Sequence, residues 1–300
     1  MSFDKVKNIC SNCGITVVAL DRDGLLSSSK NKVFRCPDCG LVGIKEELSA
    51  DTIKGIYSVY SYGNQESWDI SKPTARYIDN LIKSLGSYKE LGSFLDIGCG
   101  AGFMLHFAKL YGFNVEGVEL SDVALKKLQE QGYRMHFGPL RSLNLASNSY
   151  DVITMSEILE HLDDPLNYML ESYRLLRKGG VLYIATPNFD SYRRRLFGIK
   201  NEILPPEHIW SFNRKSLNKH LGKAGFGDIH IWTDGLNPYE LLEMFASSFN
   251  KDYKIDSSKK TESLRLNSSE KKTWRALKTG VNALMRISNL GISLKAFAVK

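Results

Sequence analysis

Apolar positions along the chain change their period several times, and each change marks an element. Residues 15–35 begin and end in β-rich runs around a polar DRDG turn. Residues 71–91 place Ile78, Leu81, Ile82 and Leu85 on one face, which predicts an amphipathic helix. SFLDI over 93–97 reads as a buried strand, followed by Gly98-Cys99-Gly100-Ala101-Gly102, the helical run FMLHFAKLYG and a second strand, NVEGVEL. A third strand precedes Gly138, and a fourth lies in SYDVITM, ahead of SEILEHLDDP. LLRKGGVLYIATPN reads as a turn and a fifth strand. Ser211 to Phe226 reads as a helix and a turn into a sixth strand, and ISLKAFAVK as a last strand returning to the sheet edge. Strands alternating with helices predict an α/β fold.

Composition adds little except at the tail. The 300 residues are 43% hydrophobic and 24% charged, with mean hydropathy −0.24, and the apolar runs are too short to span a bilayer. The net charge is +7, but residues 251–300 carry twelve Lys or Arg against four Asp or Glu, so the first 250 residues sum to −1. A body without net positive charge argues against nucleic acid as a partner. The start, MSFDKVKNICSNC, has no apolar signal stretch, so a cytoplasmic location is expected. Residues 251–272 are polar and read as a linker. In 273–288, Trp274, Leu277, Val281, Leu284 and Met285 face away from Arg275, Lys278, Asn282 and Arg286. Such a helix packs on the main domain or rests peripherally on the inner membrane surface.

Specific chemistry first shows in the cysteines. Cys10-x-x-Cys13 and Cys36-x-x-Cys39 are separated by twenty-two residues, and each pair runs into glycine. Two thiolates on a tight turn form a knuckle, and two knuckles close a tetrahedral site for structural zinc with no place left for catalytic water. Disulfides compete with this reading and are disfavoured in the cytosol.

A strand, a glycine-rich turn and a helix form a ligand site because glycine lets the backbone approach closely and the helix start offers free N–H groups. Glu119, about twenty residues past the first glycine, is placed to take ribose hydroxyls. The succession LDIGCGAG, SYDVITMSEILEHLDDP and LLRKGGVLYIATPN resembles class I S-adenosylmethionine-dependent methyltransferases over roughly residues 90–235. It resembles particularly the group that includes ubiquinone-biosynthesis O-methyltransferases and sugar or glycan methyltransferases. The resemblance implies a Rossmann-like seven-stranded sheet behind a small N-terminal zinc ribbon. It implies that Asp96, Gly98, Gly100 and Gly102 line the methionine half of the cofactor. Glu119 would hold the ribose, Leu120 the adenine, and Met155, Ser156 and Glu157 the region of the reactive methyl. Relatives often carry an acidic residue after the third strand; this chain reads Gly138-Pro139-Leu140, which leaves Leu140 or its neighbours for the adenine.

Acceptor chemistry is expected beyond the strand ends. Glu157 and His161, four apart, share a face if SEILEH turns helically, with Glu160 pointing elsewhere. His161 is one candidate base and His208, after Pro205-Pro206, another. Tyr57, Tyr60, Tyr62 and Trp68 form either a packed helix or a lid, and Arg193–Arg195 either a solvated face or an anion grip. No metal-ligating cluster is visible near these motifs, which disfavours a magnesium-dependent catechol mechanism. The expected organisation is a ribbon (1–45), a connector (46–90), a cofactor-binding core (91–235) and a basic extension (236–300). The ribbon's pairing with this core resembles bacterial enzymes that methylate nucleotide sugars or surface glycans, so a sugar hydroxyl or carbon is the first acceptor expected. An RNA methyltransferase, a quinone or other small-molecule O-methyltransferase, and a silent cofactor-binding module are the alternatives.

Overall fold

The computed structural model describes residues 10, 13–19, 33–44, 70–88, 92–197, 208–235, 280, 281, 283 and 285–300. Three short strands come first: β1 (Val18–Ala19), β2 (Val33–Arg35) and β3 (Val42–Ile44). Then follow α1 (Lys72–Tyr88), β4 (Ser93–Ile97), α2 (Phe103–Leu110), β5 (Asn114–Glu119), α3 (Asp122–Glu130) and β6 (Arg134–Phe137). The next elements are β7 (Tyr150–Ser156), α4 (Pro165–Leu175), β8 (Leu176–Pro187) and α5 (Tyr192–Phe197). The chain closes with β9 (Trp210–Ser211), α6 (Arg214–Lys223), β10 (Asp228–Asp234) and β11 (Ser293–Val299).

Seven strands form one sheet in the order β10-β11-β8-β7-β4-β5-β6. Strands β4 to β8 run parallel, and β11 is antiparallel to both of its neighbours. The last strand therefore lies inside the sheet, between β8 and β10, and not at its edge. Its pattern requires this. Leu294, Ala296 and Ala298 are buried in one apolar layer while Phe297 packs against the other, and a strand apolar on both faces needs both covered. Alternation along the strands splits the core. Leu95, Ile97, Ile153, Met155, Leu182 and Ile184 meet α4 and α6, whereas Phe94, Val152, Val181 and Tyr183 meet α1 and α2. The predicted helix at 71–91 is α1, with Ile78, Leu81, Ile82 and Leu85 all buried.

Two expected boundaries move. The turn read at Arg177–Gly180 is absorbed into β8, with a register shift opposite Tyr150 and Val152. Ser211 is strand and not helix: α6 starts only after Asn213, whose side chain accepts from the Ser216 N–H while the Asn213 N–H donates to the Ser216 hydroxyl. At the start of α4, Asp164 caps the helix ahead of Pro165, its side chain accepting from the Asn167 N–H.

That early strand β9 completes a second, antiparallel sheet, β1-β2-β3-β9. Val42 pairs with Ser211 and Gly43 with Trp210. The seam is reinforced by Lys219 Nζ 2.5 Å from Asp38 and by Asn213 Nδ2 donating to the Gly40 carbonyl at 3.4 Å. Cys10, Cys36, Cys39 and Leu41 share one apolar cluster with Trp210, Phe212 and Leu217.

The aromatic cluster Tyr57, Tyr60, Tyr62 and Trp68, the Pro205-Pro206 segment, the 251–272 linker, and Trp274, Leu277 and Leu284 lie outside the described residues. Residues 285–288 are helical, with Ile287 80% exposed, and no described helix is long and apolar enough to cross a membrane.

Phe212 is fully buried, edge-on to His220 at 5.3 Å, where the small sheet meets the large domain. Phe212→Ala is expected to lower stability by about 3–5 kcal/mol, read from denaturant unfolding.

Candidate functional site

The order of the parallel strands reverses between β4 and β7, the place where an open α/β sheet leaves a crevice at its carboxyl ends. The chain leaves β4 through Gly98, Gly100 and Gly102, all left-handed, with φ of 70°, 51° and 78°. A Cβ on Gly98 would lie 1.9 Å from Ile158 Cδ1, so that position also demands the space. Gly102 then caps α2.

Glu119 fixes this turn. Its Oε2 accepts the Gly100 N–H at 2.8 Å, and its Oε1 accepts those of Leu120 and Ser121 at 2.7 and 2.9 Å. A carboxylate has about four lone-pair sites, so three backbone donors leave about one for a ribose hydroxyl.

A cavity of about 350 Å³ opens at the reversal, lined by the turn and by Asp96, Ser156, Glu157, Tyr77, Ser293 and Lys295 among others. Asp96 is 3% exposed and accepts from the Thr154 hydroxyl at 2.6 Å. Burial pushes its carboxyl up to about 7, the Thr154 hydrogen bond opposing and the Glu119 charge adding. Glu157 stands at φ 53° at the end of β7 and opens into the cavity. The surrounding walls lift its carboxyl above the ordinary range, with Lys295 acting in the opposite sense.

Two expected cofactor contacts turn away. Met155 is fully buried in the α4 layer, because alternation along β7 sends Ser156, and not Met155, into the cavity. Leu140 is 1% exposed in the same layer, turned inward by the short 3₁₀ helix that follows Pro139. Leu120 remains partly exposed at 36%.

The expected helical face of Glu157 and His161 does not form. The left-handed Glu157 breaks the turn, and only Leu159–His161 is helical, as one 3₁₀ turn. Glu160 takes the partner role instead. It is 2% exposed and accepts from the Thr186 hydroxyl at 2.8 Å; its Oε1 lies 3.8 Å from His161 Nε2 and 4.0 Å from His208 Nε2. The two imidazoles stack edge-on, 4.7 Å between centroids. Burial, with the Glu157 charge second, pushes the Glu160 carboxyl up to about 8. Glu160, His161 and His208 thus form a potential metal-ligating cluster beside the motifs, with ligand atoms within 4.8 Å of one another, where the sequence showed none. The link is tertiary: the Ile209 N–H donates to the Glu160 carbonyl, and Trp210 Nε1 to the Leu162 carbonyl.

The four ribbon cysteines gather their sulfurs within 4.8 Å of one another, with Cys10 and Cys39 3.8 Å apart. The two turns repeat one hydrogen-bond pattern. The Cys10 and Cys36 N–H groups donate to Ile15 and Leu41, and the Gly14 and Gly40 N–H groups donate back to Cys10 and Cys36. A zinc–sulfur bond of about 2.3 Å makes a tetrahedron with edges of about 3.8 Å, so the donor set and spacing fit that ion. Arg194 is engaged locally: its Nε donates to the Phe189 carbonyl and its guanidinium lies 4.1 Å over the Phe189 ring.

Sequence reasoning missed Glu160 as the partner of the histidines, and it missed Tyr77, Ser293 and Lys295 in the cavity. One signal was present for the last: Lys295 is the single charge inside the apolar strand SLKAFAV.

The pattern of a family described as "Methyltransferase domain" matches residues 71–231, more than half of the chain. Among curated relatives, the ubiquinone biosynthesis O-methyltransferase of Nitrosomonas europaea is 34% identical over 127 residues, covering 40% of this chain and 52% of its own. The chain thus spans about half the length of that relative. The enzyme of the same name from Pseudomonas putida strain W619 is 29% identical over 63% of this chain and 81% of its own. A solved S-adenosylmethionine-dependent methyltransferase from Archaeoglobus fulgidus shares the fold, with TM-score 0.51 and 20% identity over 81% of this chain and 99% of its own. With a seven-stranded sheet that reverses over a glycine turn and a family match across that sheet, the chain belongs to the methyltransferase-domain family, as a class I S-adenosylmethionine-dependent methyltransferase.

Proposed function

We propose that this protein methylates a hydroxyl of a small-molecule acceptor. The observation that carries the reading is the Glu160–His161–His208 cluster: Glu160 and His161 come three and four residues after the cavity residue Glu157, and His208 joins them from a distant segment. Relatives named ubiquinone biosynthesis O-methyltransferases support a small-molecule hydroxyl ahead of the sugar acceptor expected from the ribbon. Asp96, Glu119, Ser156, Glu157 and the backbone at Gly98, Gly100 and Gly102 would hold S-adenosylmethionine, with Leu120 beside its adenine. When bound, that cofactor supplies an electrophilic methyl on a sulfonium. The protein's part is to align the acceptor, worth about 7–11 kcal/mol, and to take the hydroxyl proton. An imidazole nitrogen of His161 or His208 accepts that proton, and Glu160, whose acid form burial favours at rest, balances the new charge once it is ionised.

Labelled methyl from S-adenosylmethionine is expected in a phenolic or quinone fraction of host extract; label confined to nucleotide sugars or lipid-linked glycans would sink the reading. His161→Asn or His208→Asn is expected to reduce kcat by about a hundredfold or more with unchanged cofactor affinity.

Asp96 gives a pH dependence. Its acid form predominates below about 7 in the free protein, and only the carboxylate attracts a cationic cofactor. Affinity is therefore expected to rise with pH up to about 7 and then level off. Calorimetry between pH 5.5 and 8.5 should show this slope in the native protein and a flat, weaker profile in Asp96→Asn.

The cysteine cluster is proposed to hold one structural zinc through Cys10, Cys13, Cys36 and Cys39. Elemental analysis is expected to give about one zinc per chain. Cys36→Ser should lose both the metal and thermal stability.

A further inference from the structure

Among the described residues that line the cavity, Lys295 is the only ammonium, and it is 7% exposed. Its Nζ lies 2.8 and 2.9 Å from the two Asp234 oxygens and 4.1 Å from the centre of the Tyr77 ring. The Tyr77 hydroxyl is hydrogen-bonded to that of Tyr183, which holds the ring in place. A buried ion pair is a poor stabiliser, because desolvating the two charges offsets most of their attraction. Its presence in a cavity wall calls for another reason.

Two residues earlier on β11, and on the same face, Ser293 also lines the cavity, and its buried Oγ has no hydrogen-bond partner among the described residues. The same cavity carries two carboxyl groups, Asp96 at the end of β4 and Glu157 after β7. Carboxylates thus come from one group of strands, and an ammonium with a free hydroxyl from another. An α-amino acid group, with an ammonium and a carboxylate on one carbon, matches that distribution of charge.

We propose that Lys295 and Ser293 form the subsite for the methionyl carboxylate of S-adenosylmethionine, with Tyr77 and Asp234 fixing the ammonium. The ammonium carries three N–H groups, one of which donates to Asp234 Oδ2 at 2.9 Å, so it keeps donor capacity for the ligand. Ser293 Oγ then gains the acceptor it lacks. This inference rests on the cofactor reading above and assigns the last strand, outside the 71–231 family match, a direct part in donor recognition.

The test compares equilibrium affinities for S-adenosylmethionine and for decarboxylated S-adenosylmethionine, which keeps the sulfonium and the amine and lacks only the carboxylate. The native protein is expected to prefer the former by about ten- to a hundredfold, the usual worth of a charge-assisted hydrogen bond. Lys295→Met should abolish that preference by weakening only the carboxylate-bearing ligand, and Lys295→Arg should restore part of it. Ser293→Ala should reduce it severalfold. Because Lys295→Met leaves Asp234 unpaired, the double variant Lys295→Met with Asp234→Asn is measured too, with its unfolding curve. Equal losses for both ligands in these variants, or no loss for either, would overturn the subsite. If the native protein binds neither ligand, the cofactor reading fails; if it binds both and Lys295 does not discriminate, this inference fails alone.

Discussion

Three backbone N–H groups converge on one carboxylate, and the rest of the site is arranged around that contact. Glu119 ends β5, yet its oxygens hold the Gly100 amide of the neighbouring loop and the first two amides after its own strand. Three hydrogen bonds converging on one side chain that is only 5% exposed hold the loop firmly. The glycines permit a left-handed path, but permission leaves many conformations open. Glu119 selects one of them, and with it the position of α2 and the floor of the cavity.

Around that floor the charges are unbalanced in an ordered way. Asp96 and Glu160 are buried carboxyls whose acid forms are favoured by burial, at about 7 and about 8. Groups so poised change charge when a cation or a proton arrives, which suits binding and proton transfer better than stability. Lys295 and Asp234 add an ion pair in the cavity wall near Tyr77 and Glu157.

Much of this was legible in the sequence, and the rest was hidden for definite reasons. The glycine turn, Glu119 and the cysteine knuckles are local patterns, fixed by residues a few positions apart. Leu140 and Met155 were misplaced because a strand's two faces are told apart only by what covers them. Glu160 was overlooked because Glu157 adopts a left-handed conformation that no helical spacing rule anticipates. His208 meets His161 through tertiary hydrogen bonds, Ile209 N–H to the Glu160 carbonyl and Trp210 Nε1 to the Leu162 carbonyl, and a sequence read without relatives has no signal for that. The last strand's place inside the sheet was encoded in its two-sided apolar pattern.

The small sheet borrows its fourth strand from far along the chain, and this has a consequence for synthesis. The ribosome delivers the cysteine knuckles and β3 first, whereas Trp210 and Ser211 emerge only after most of the large sheet has been made. Until then the edge of β3 is open, and an open edge pairs with whatever strand it meets. A nascent ribbon is thus a waiting template, and the segment that finally closes it is the same one that carries His208 to its neighbour. Completion of the ribbon and assembly of the histidine pair are therefore one late event in the life of the chain.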